Sequence, residues 1–185
     1  MPLDYSQGCV NFRDVGEFIN LLAAQMLLPV GKLYRGGKLE FVVSADLIGS
    51  PRTIVNLRKG DDINTFKTNV FHFPISNDYE KYETTNRQVK QWLRNVISIF
   101  EDRDLAYPVL VHCTSGKDRT GVVVAALLKI LQVPESIIIE EYLLSDGAVK
   151  AEWIMMSLQG ISDPVKYFSS IDLKRIRDNF QIINS

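Results

Sequence analysis

The chain has 185 residues, 46% of them hydrophobic, which suits one domain with a single core (residues 1–185). Its 21 lysines and arginines nearly balance 22 aspartates and glutamates, so no overall charge favours nucleic acid or an anionic membrane as a partner. Two cysteines, Cys9 and Cys113, are too few for a disulfide framework and are typical of a cytoplasmic protein.

The N-terminal third gives the weakest structural signals. It begins Met-Pro-Leu-Asp, without the basic residues of a secretory leader. No apolar run reaches the roughly 18 residues of a membrane-spanning helix, so we expect no integral membrane segment. The apolar stretch 18–34 is interrupted by Pro-Val-Gly-Lys at 29–32, which predicts two short strands joined by a turn.

Strand and helix patterns alternate through the middle of the chain. Residues 52–57 contain β-branched side chains and predict a buried strand, preceded by a short helix around 44–48. Residues 70–75 predict a second such strand. Between 82 and 102, six apolar residues recur at helical spacing and predict an amphipathic helix: Val89, Trp92, Leu93, Val96, Ile97 and Phe100.

The C-terminal half is predicted to be mainly helical. Residues 108–112 form a short apolar strand, and residues 120–133 form a largely apolar helix that must be buried on most sides. Pro134 begins another helix, and the remaining helices are separated by breaks near Gly147 and 160–164. We therefore expect the α/β class, with a small central, mainly parallel sheet flanked by helices and a helical C-terminal half.

The stretch 112–121, His-Cys-Thr-Ser-Gly-Lys-Asp-Arg-Thr-Gly, lies between that buried strand and that buried helix. A loop entering a helix presents unpaired N–H groups and the positive end of the helix dipole, which favour a phosphate dianion. The same field favours the thiolate of Cys113, which can attack phosphorus. Arg119 can hold two oxygens of the transferring group, and the Thr120 hydroxyl can assist the departing sulfur.

This pattern predicts catalytic and phosphate-binding residues in one loop. Cys113 alone would more simply be a buried core cysteine. Its spacing from Arg119, with glycine, lysine and aspartate between them, favours the catalytic interpretation. We interpret His112 as a hydrogen-bonded core residue rather than a group that tunes the thiolate. The predicted phosphate ligands are Thr114, Ser115, Gly116, Lys117 and Thr120.

The loop resembles the phosphate loop of the protein tyrosine phosphatase superfamily. Its Gly-Lys-Asp-Arg-Thr-Gly end is similar to the bacterial and fungal branch of tyrosine and phosphoinositide phosphatases. Further segments resemble that branch's other signatures in order: residues 11–16, 33–37, 54–58 and 141–145. The resemblance implies the cysteine-phosphatase fold, a phosphocysteine intermediate, no cofactor or metal, and phosphotyrosine proteins as substrates, with phosphoinositides as a second class.

The chain departs from the branch at two places. Asn56 stands where the branch usually has an aspartate, and Gly16-Glu17 replaces a double glycine. We interpret both as structural variation. Many members of the branch also have a long helical lid, for which this chain leaves little room, so the resemblance implies a more open pocket.

Two aspartates are candidates for the general acid that protonates the leaving oxygen. Asp118 lies inside the loop, and the branch that the chain resembles gives this role to an aspartate there. Asp78 follows a predicted strand, where many other superfamily members place their acid on a mobile loop. We favour Asp118, because its position does not depend on a loop alignment, and retain Asp78 as the alternative.

Other charged residues have structural and functional interpretations. Arg13, Asp14 and Arg35 lie in the signatures and could be ligands, but we interpret them as structural residues that tie the N-terminal segment to the core. Arg58 and Lys59 follow a strand end and either line the pocket rim or form a solvated face. A protective disulfide between Cys9 and Cys113 would require a close approach that sequence does not show, and we do not expect it.

Three further functions remain open. A phosphoinositide or inositol-phosphate phosphatase would keep the mechanism and change the substrate. A catalytically silent phosphate-binding module is disfavoured by the intact Cys113, Asp118 and Arg119. A sulfurtransferase or reductase could use the same cysteine loop, but Gly-Lys-Asp-Arg-Thr-Gly fits those enzymes poorly.

Overall fold

The computed structural model describes residues 3–181, which contain five strands and seven α-helices. The strands are β1 (Arg13–Asp14), β2 (Leu33–Gly36), β3 (Thr53–Asn56), β4 (Asn69–His72) and β5 (Val109–His112). The helices are α1 (Val15–Ala23), α2 (Arg87–Ser98), α3 (Asp118–Ile130), α4 (Glu135–Leu143), α5 (Ala151–Gly160), α6 (Pro164–Tyr167) and α7 (Leu173–Asn179). Short 3-10 helices span Tyr5–Gln7, Ala45–Ile48 and Ile99–Glu101.

The strands form one mainly parallel sheet in the order β1-β2-β5-β3-β4. Only β1 is antiparallel, pairing with β2 at one edge of the sheet among the strands described. At the last register position, His112 pairs with Gly36 on one side and with Asn56 on the other. The carboxyl ends of the parallel strands therefore meet at one edge, where α/β folds usually place their sites.

The central strand β5 is buried on both faces. Val109 and Val111 belong to the main core with the helices, whereas Leu110 joins a smaller cluster on the opposite face. Each such side chain contributes about 1.5–3 kcal/mol on burial. The smaller cluster consists of Leu39, Val42, Ile48, Ile54 and Leu110. Both faces thus hold the strand that carries Cys113 at its end.

Most predicted elements are confirmed, including the α/β class, the strand at 53–56, the amphipathic α2 and the buried α3. The strand predicted at 70–75 is present as β4, but the prediction that it is buried is wrong. It is an edge strand whose four residues are all exposed, because only β3 pairs with it. No helix within residues 3–181 is long and apolar enough to cross a membrane.

The prediction of two strands across 18–34 is wrong in its first half, where α1 extends to Ala23. The side chain of Asp14 accepts hydrogen bonds from the backbone N–H groups of Gly16 and Glu17, which caps the new helix. Val15 and Ile19, four residues apart, are buried on one face. The Asp14 cap and the helical spacing of the buried residues explain why this segment forms a helix rather than the strand that its apolar run predicted.

Candidate active site

The segment between β5 and α3 forms a tight loop beginning at Cys113, which is 1% exposed. Gly116 adopts a φ of 66°, in the left-handed region. A Cβ atom there would lie 2.5 Å from the backbone carbon of Gly36, so no larger residue fits without moving β2. The glycine lets this loop lie directly against the end of the neighbouring strand.

The loop's carbonyl groups are held by other parts of the chain. The oxygens of residues 114–116 accept, in order, from the Lys38 backbone N–H (3.1 Å), the Asn11 Nδ2 (2.8 Å) and the Arg35 Nη2 (2.9 Å). No backbone N–H of residues 114–119 finds an acceptor among residues 3–181. With the carbonyls engaged elsewhere, these donors are available to an anion.

Arg119 is held at the base of α3 by two bonds. Its Nη1 donates to the carbonyl of Leu57 (2.9 Å) and its Nη2 to the Thr114 hydroxyl (3.2 Å). A guanidinium has five N–H donors, so others remain for a ligand. The buried hydroxyl of Thr120 has no hydrogen-bond partner in the described part of the chain. Thr120 therefore keeps a free hydroxyl donor in the first turn of α3.

A buried group of charges ties the two N-terminal signatures to α4. Glu141 accepts from Arg13 Nε at 2.8 Å and from Arg35 Nη1 at 2.6 Å, and all three side chains are at most 5% exposed. The pKa of Arg13 is lowered to about 10, mainly because the side chain is buried and also because the positive charge of Arg35 lies nearby. Because Arg35 also holds the Gly116 carbonyl, these residues support the phosphate loop rather than line a pocket.

A pocket of about 530 Å³ opens at the start of α3. Three cations and three acids line it together with an aromatic wall. The cations are Lys81, Lys117 and Arg119; the acids are Asp78, Glu80 and Asp118. Tyr79, Tyr82 and Trp153 form the wall. Both candidate general acids thus face the same space.

The two candidate acids differ in how they are held. Asp118, the first residue of α3, accepts a hydrogen bond from the Tyr82 hydroxyl at 2.7 Å, and its Oδ2 lies 3.7 Å from Lys117 Nζ. Asp78 accepts from Ser76 in an exposed turn. Only Asp118 of these two is bonded to a buried side chain within residues 3–181.

The residues behind the loop form a separate network. His112 Nε2 lies 2.8 Å from Asp62 Oδ2, with both side chains buried. Arg58 pairs with Asp62 and Glu40 and is not among the residues that line the pocket. Lys59 is exposed and does not line the pocket either. His112 is therefore a hydrogen-bonded core residue, as the sequence suggested.

Asn56 explains one departure from the family pattern. Its side-chain oxygen accepts from the Arg58 backbone N–H at 2.7 Å, and its Nδ2 donates to the Gly60 carbonyl at 3.0 Å. A carboxylate could make the first bond but could not donate the second. The amide suits a structural role in the turn after β3.

Cys9 is a free thiol near the phosphate loop. Its Sγ donates to the Gly37 carbonyl at 3.5 Å, and Cys113 is also free. Burial raises the pKa of the Cys9 thiol to about 12, with a further contribution from the nearby Cys113. The Cys9 thiol is therefore a poor nucleophile near neutral pH.

Sequence reasoning missed six of the ten residues that line the pocket, among them Lys81, Tyr82 and Trp153. Burial and repulsion from Arg119 lower the pKa of Lys81, which has no ion pair within 4 Å in residues 3–181. Tyr82 lies only four residues after Asp78 and could have been suspected from that proximity. Trp153 comes from α5, so only the folded chain shows its position.

Comparison with known proteins gives a consistent result. A model of the tyrosine phosphatase family matches residues 5–178. Triple specificity protein phosphatase PtpB of Mycobacterium tuberculosis is 35% identical over 75 residues, which is 40% of this chain and 26% of PtpB. The matched part therefore spans about a quarter of that relative.

Two solved structures are similar at low sequence identity. The catalytic core of the PP-IP phosphatase SIW14 from S. cerevisiae, in complex with citrate, has a TM-score of 0.58 and 17% identity, covering 78% of this chain and 91% of SIW14. TpbA of P. aeruginosa has a TM-score of 0.44 and 21% identity, covering 82% and 88%. SIW14 shares the fold. By the match over residues 5–178, the chain belongs to the tyrosine phosphatase family.

Proposed function

We propose that this protein is a cysteine-dependent phosphatase that hydrolyses phosphotyrosine in proteins through a phosphocysteine intermediate. The observation that carries the proposal is the loop that begins at Cys113 and ends at Arg119, in which the N–H groups of residues 114–119 have no acceptor among residues 3–181. Membership of the tyrosine phosphatase family supports it. A nucleophile, an anion cradle and a planar cation are thus combined in seven consecutive residues.

In the first step, the loop N–H groups and Arg119 bind the oxygens of the phosphoryl group. The Cys113 thiolate attacks phosphorus, an S–P bond forms, and the P–O bond to the leaving tyrosine breaks. Asp118 gives its carboxyl proton to the leaving oxygen. Asp78, which lines the same pocket, is the alternative donor.

In the second step, water attacks the phosphocysteine. The Asp118 carboxylate takes a proton from the water, the S–P bond breaks, and inorganic phosphate leaves. The Thr120 hydroxyl is buried without a partner in the described residues, so it can donate to the sulfur as negative charge returns there. No step needs a metal or another cofactor.

Phosphoinositides or inositol phosphates fit the site as a second substrate class. Lys81 and Lys117 line the pocket beside Arg119 and offer two cationic ligands for further phosphate groups, within a lining whose three acids balance its formal charge. The alternative for Lys117 is that its approach to Asp118, at 3.7 Å, merely orders the loop. PtpB is named for triple specificity, which agrees with a broad substrate range in this branch.

We also propose that residues 1–185 form one phosphatase domain and that the protein acts in the cytoplasm. A catalytic thiolate must remain reduced, and the reducing cytoplasm maintains that state. The proposed partners are its phosphorylated substrates, with no nucleic acid among them, because the charge is nearly balanced. Fractionation with an antibody against the chain tests the compartment.

Replacing Cys113 by serine tests the proposed function. Cys113→Ser should keep the fold and bind a phosphotyrosine peptide, but turnover should fall below about a tenth of the wild-type rate, because a serine hydroxyl is a far weaker nucleophile here. Acid quenching of the wild type during turnover should trap phosphate on Cys113, detected by peptide mass spectrometry. Cys9→Ser is the matched control and should retain activity. Unchanged turnover in Cys113→Ser would refute covalent catalysis.

A further inference from the structure

A chain of two tyrosine hydroxyls ends on one oxygen of Asp118. The Tyr82 hydroxyl lies 2.7 Å from Asp118 Oδ1 and 2.6 Å from the Tyr142 hydroxyl. Tyr82 and Tyr142 are 5% and 1% exposed. A phenol has one proton to donate, so a Tyr82 that donates to the carboxylate must accept from Tyr142. The two O–H bonds then point in one direction and strengthen each other.

Tyr82 is suited to remain a donor throughout the working pH range. Burial raises its pKa above the ordinary value, and donation to the Asp118 carboxylate raises it further. The phenol therefore stays protonated when Asp118 changes its charge. A donor that does not itself titrate can hold the carboxyl group in both protonation states.

The surroundings fix Tyr82 in place. Its backbone carbonyl accepts from the Ser157 hydroxyl of α5 at 3.1 Å, and its ring lies 5.7 Å from that of Trp153, centroid to centroid. The ring of Tyr142 meets it edge to face at 6.1 Å. A side chain packed by α4 and α5 thus reaches the first residue of α3.

We propose that Tyr82 is a positioning residue for general acid catalysis, and that its hydroxyl occupies Asp118 Oδ1 so that Oδ2 carries the transferred proton. This inference rests on the proposed phosphatase function and deepens it. A proton on Oδ1 would oppose the incoming Tyr82 O–H, whereas Oδ2 has no such donor within hydrogen-bond range among residues 3–181, where Lys117 Nζ lies 3.7 Å from it. In the first step the proton moves from Oδ2 to the leaving oxygen, and the Tyr82 bond stabilises the carboxylate that remains.

Several charged or titratable groups besides Tyr82 surround Asp118. The pocket and the loop bring the following towards it: Asp78, Glu80, Lys81, Lys117, Arg119 and Tyr142. None of the three cations is removed when the Tyr82 hydroxyl is deleted. The effect of that deletion is therefore loss of one donor to the carboxylate, which disfavours its ionised form.

Tyr82→Phe tests the inference by leaving-group dependence and pH profile. With a tyrosine phosphate substrate, kcat should fall about 10-fold, whereas with 4-nitrophenyl phosphate, whose leaving oxygen needs little protonation, it should change less than about 3-fold. The alkaline limb of the kcat profile, where the acid loses its proton, should move to higher pH. A merely structural role would lower both rates together and leave the limb in place.

Two further variants keep the test decisive. Tyr142→Phe removes the outer hydroxyl while leaving Tyr82 in contact with Asp118, so it should shift the limb in the same direction by a smaller amount. It also gives the answer if Tyr82→Phe does not fold. Tyr167→Phe is the matched control, because its buried hydroxyl donates to the Thr84 carbonyl at 2.7 Å, away from the pocket. That control should lose stability but keep the wild-type profile.

The outcomes separate this inference from the proposed function. If the wild type releases no phosphate from either substrate, the phosphatase assignment itself is wrong. If the wild type is active but both tyrosine variants keep its pH profile and leaving-group dependence, Tyr82 does not position the acid. A shifted limb in Tyr82→Phe together with an unshifted Tyr167→Phe supports the inference.

Discussion

Replacing Glu141 by glutamine should strongly destabilise this protein and weaken phosphate binding. The carboxylate serves two buried guanidinium groups, those of Arg13 and Arg35, at 2.8 and 2.6 Å. Glutamine keeps one oxygen acceptor but removes the negative charge. Two cations would then remain buried with one neutral acceptor between them.

The magnitude follows from this arrangement. Breaking a buried ion pair by removing one partner costs about 3–5 kcal/mol, and a domain has only about 5–15 kcal/mol in total. With a urea slope of about 2 kcal/mol per molar, the unfolding midpoint should fall by about 2 M. Because Arg35 also donates to the Gly116 carbonyl, KM for a phosphotyrosine peptide should rise in the surviving folded fraction.

Urea unfolding followed by circular dichroism measures the midpoint, and initial rates measure KM. The control is Glu140→Gln, on the same helix but exposed, which should shift the midpoint by less than about 0.5 M because an exposed charge contributes little. If Glu141→Gln shifts the midpoint no further than Glu140→Gln does, the ion pairs do not stabilise the fold.

Three other experiments test the site. Asp118→Asn should slow hydrolysis of tyrosine phosphate at least about 10-fold more than that of 4-nitrophenyl phosphate, while Asp78→Asn stays mild; the reverse order in steady-state rates would make Asp78 the acid. EDTA should leave the rate unchanged, since no cluster of three or more metal-ligating side chains exists within residues 3–181, whereas vanadate should inhibit; rate loss restored by a divalent ion would contradict this. Lys117→Ala should cost more on multiply phosphorylated inositides than on a phosphotyrosine peptide in phosphate-release assays, and equal losses would make Lys117 structural.

Sequence indicated the phosphate loop most clearly, because its chemistry lies in consecutive residues. The strand before Cys113 and the helix after it are both strongly apolar, so the position of the loop followed from local pattern alone. Local signals also predicted α2, because its apolar residues recur at regular helical spacing. By contrast, α1 was not predicted, because its start depends on the Asp14 cap while the apolar run at 18–34 is also typical of strands.

Proximity to Asp78 along the chain could place Tyr82 near the pocket, but its hydrogen bond to Asp118 could not be predicted from sequence. Tyr82 is 36 residues away along the chain and lies in a segment without regular structure, so no periodicity places it. The exposure of β4 was hidden for a related reason, since its composition resembles that of the buried β3 while its position at the sheet edge depends on strand order. Both features are properties of the assembled fold.

Because residues distant in sequence hold the loop carbonyls, the phosphate-binding site forms only when the chain folds cooperatively. Asn11 and Arg35 reach the loop across 104 and 81 residues of sequence, so a chain that has not yet docked its N-terminal segment lacks the site. Phosphate should then bind only the native state and stabilise it by about 2.7 kcal/mol at one hundred times its dissociation constant. Amide exchange in residues 114–119 should slow on adding phosphate, together with exchange in the strands of the core.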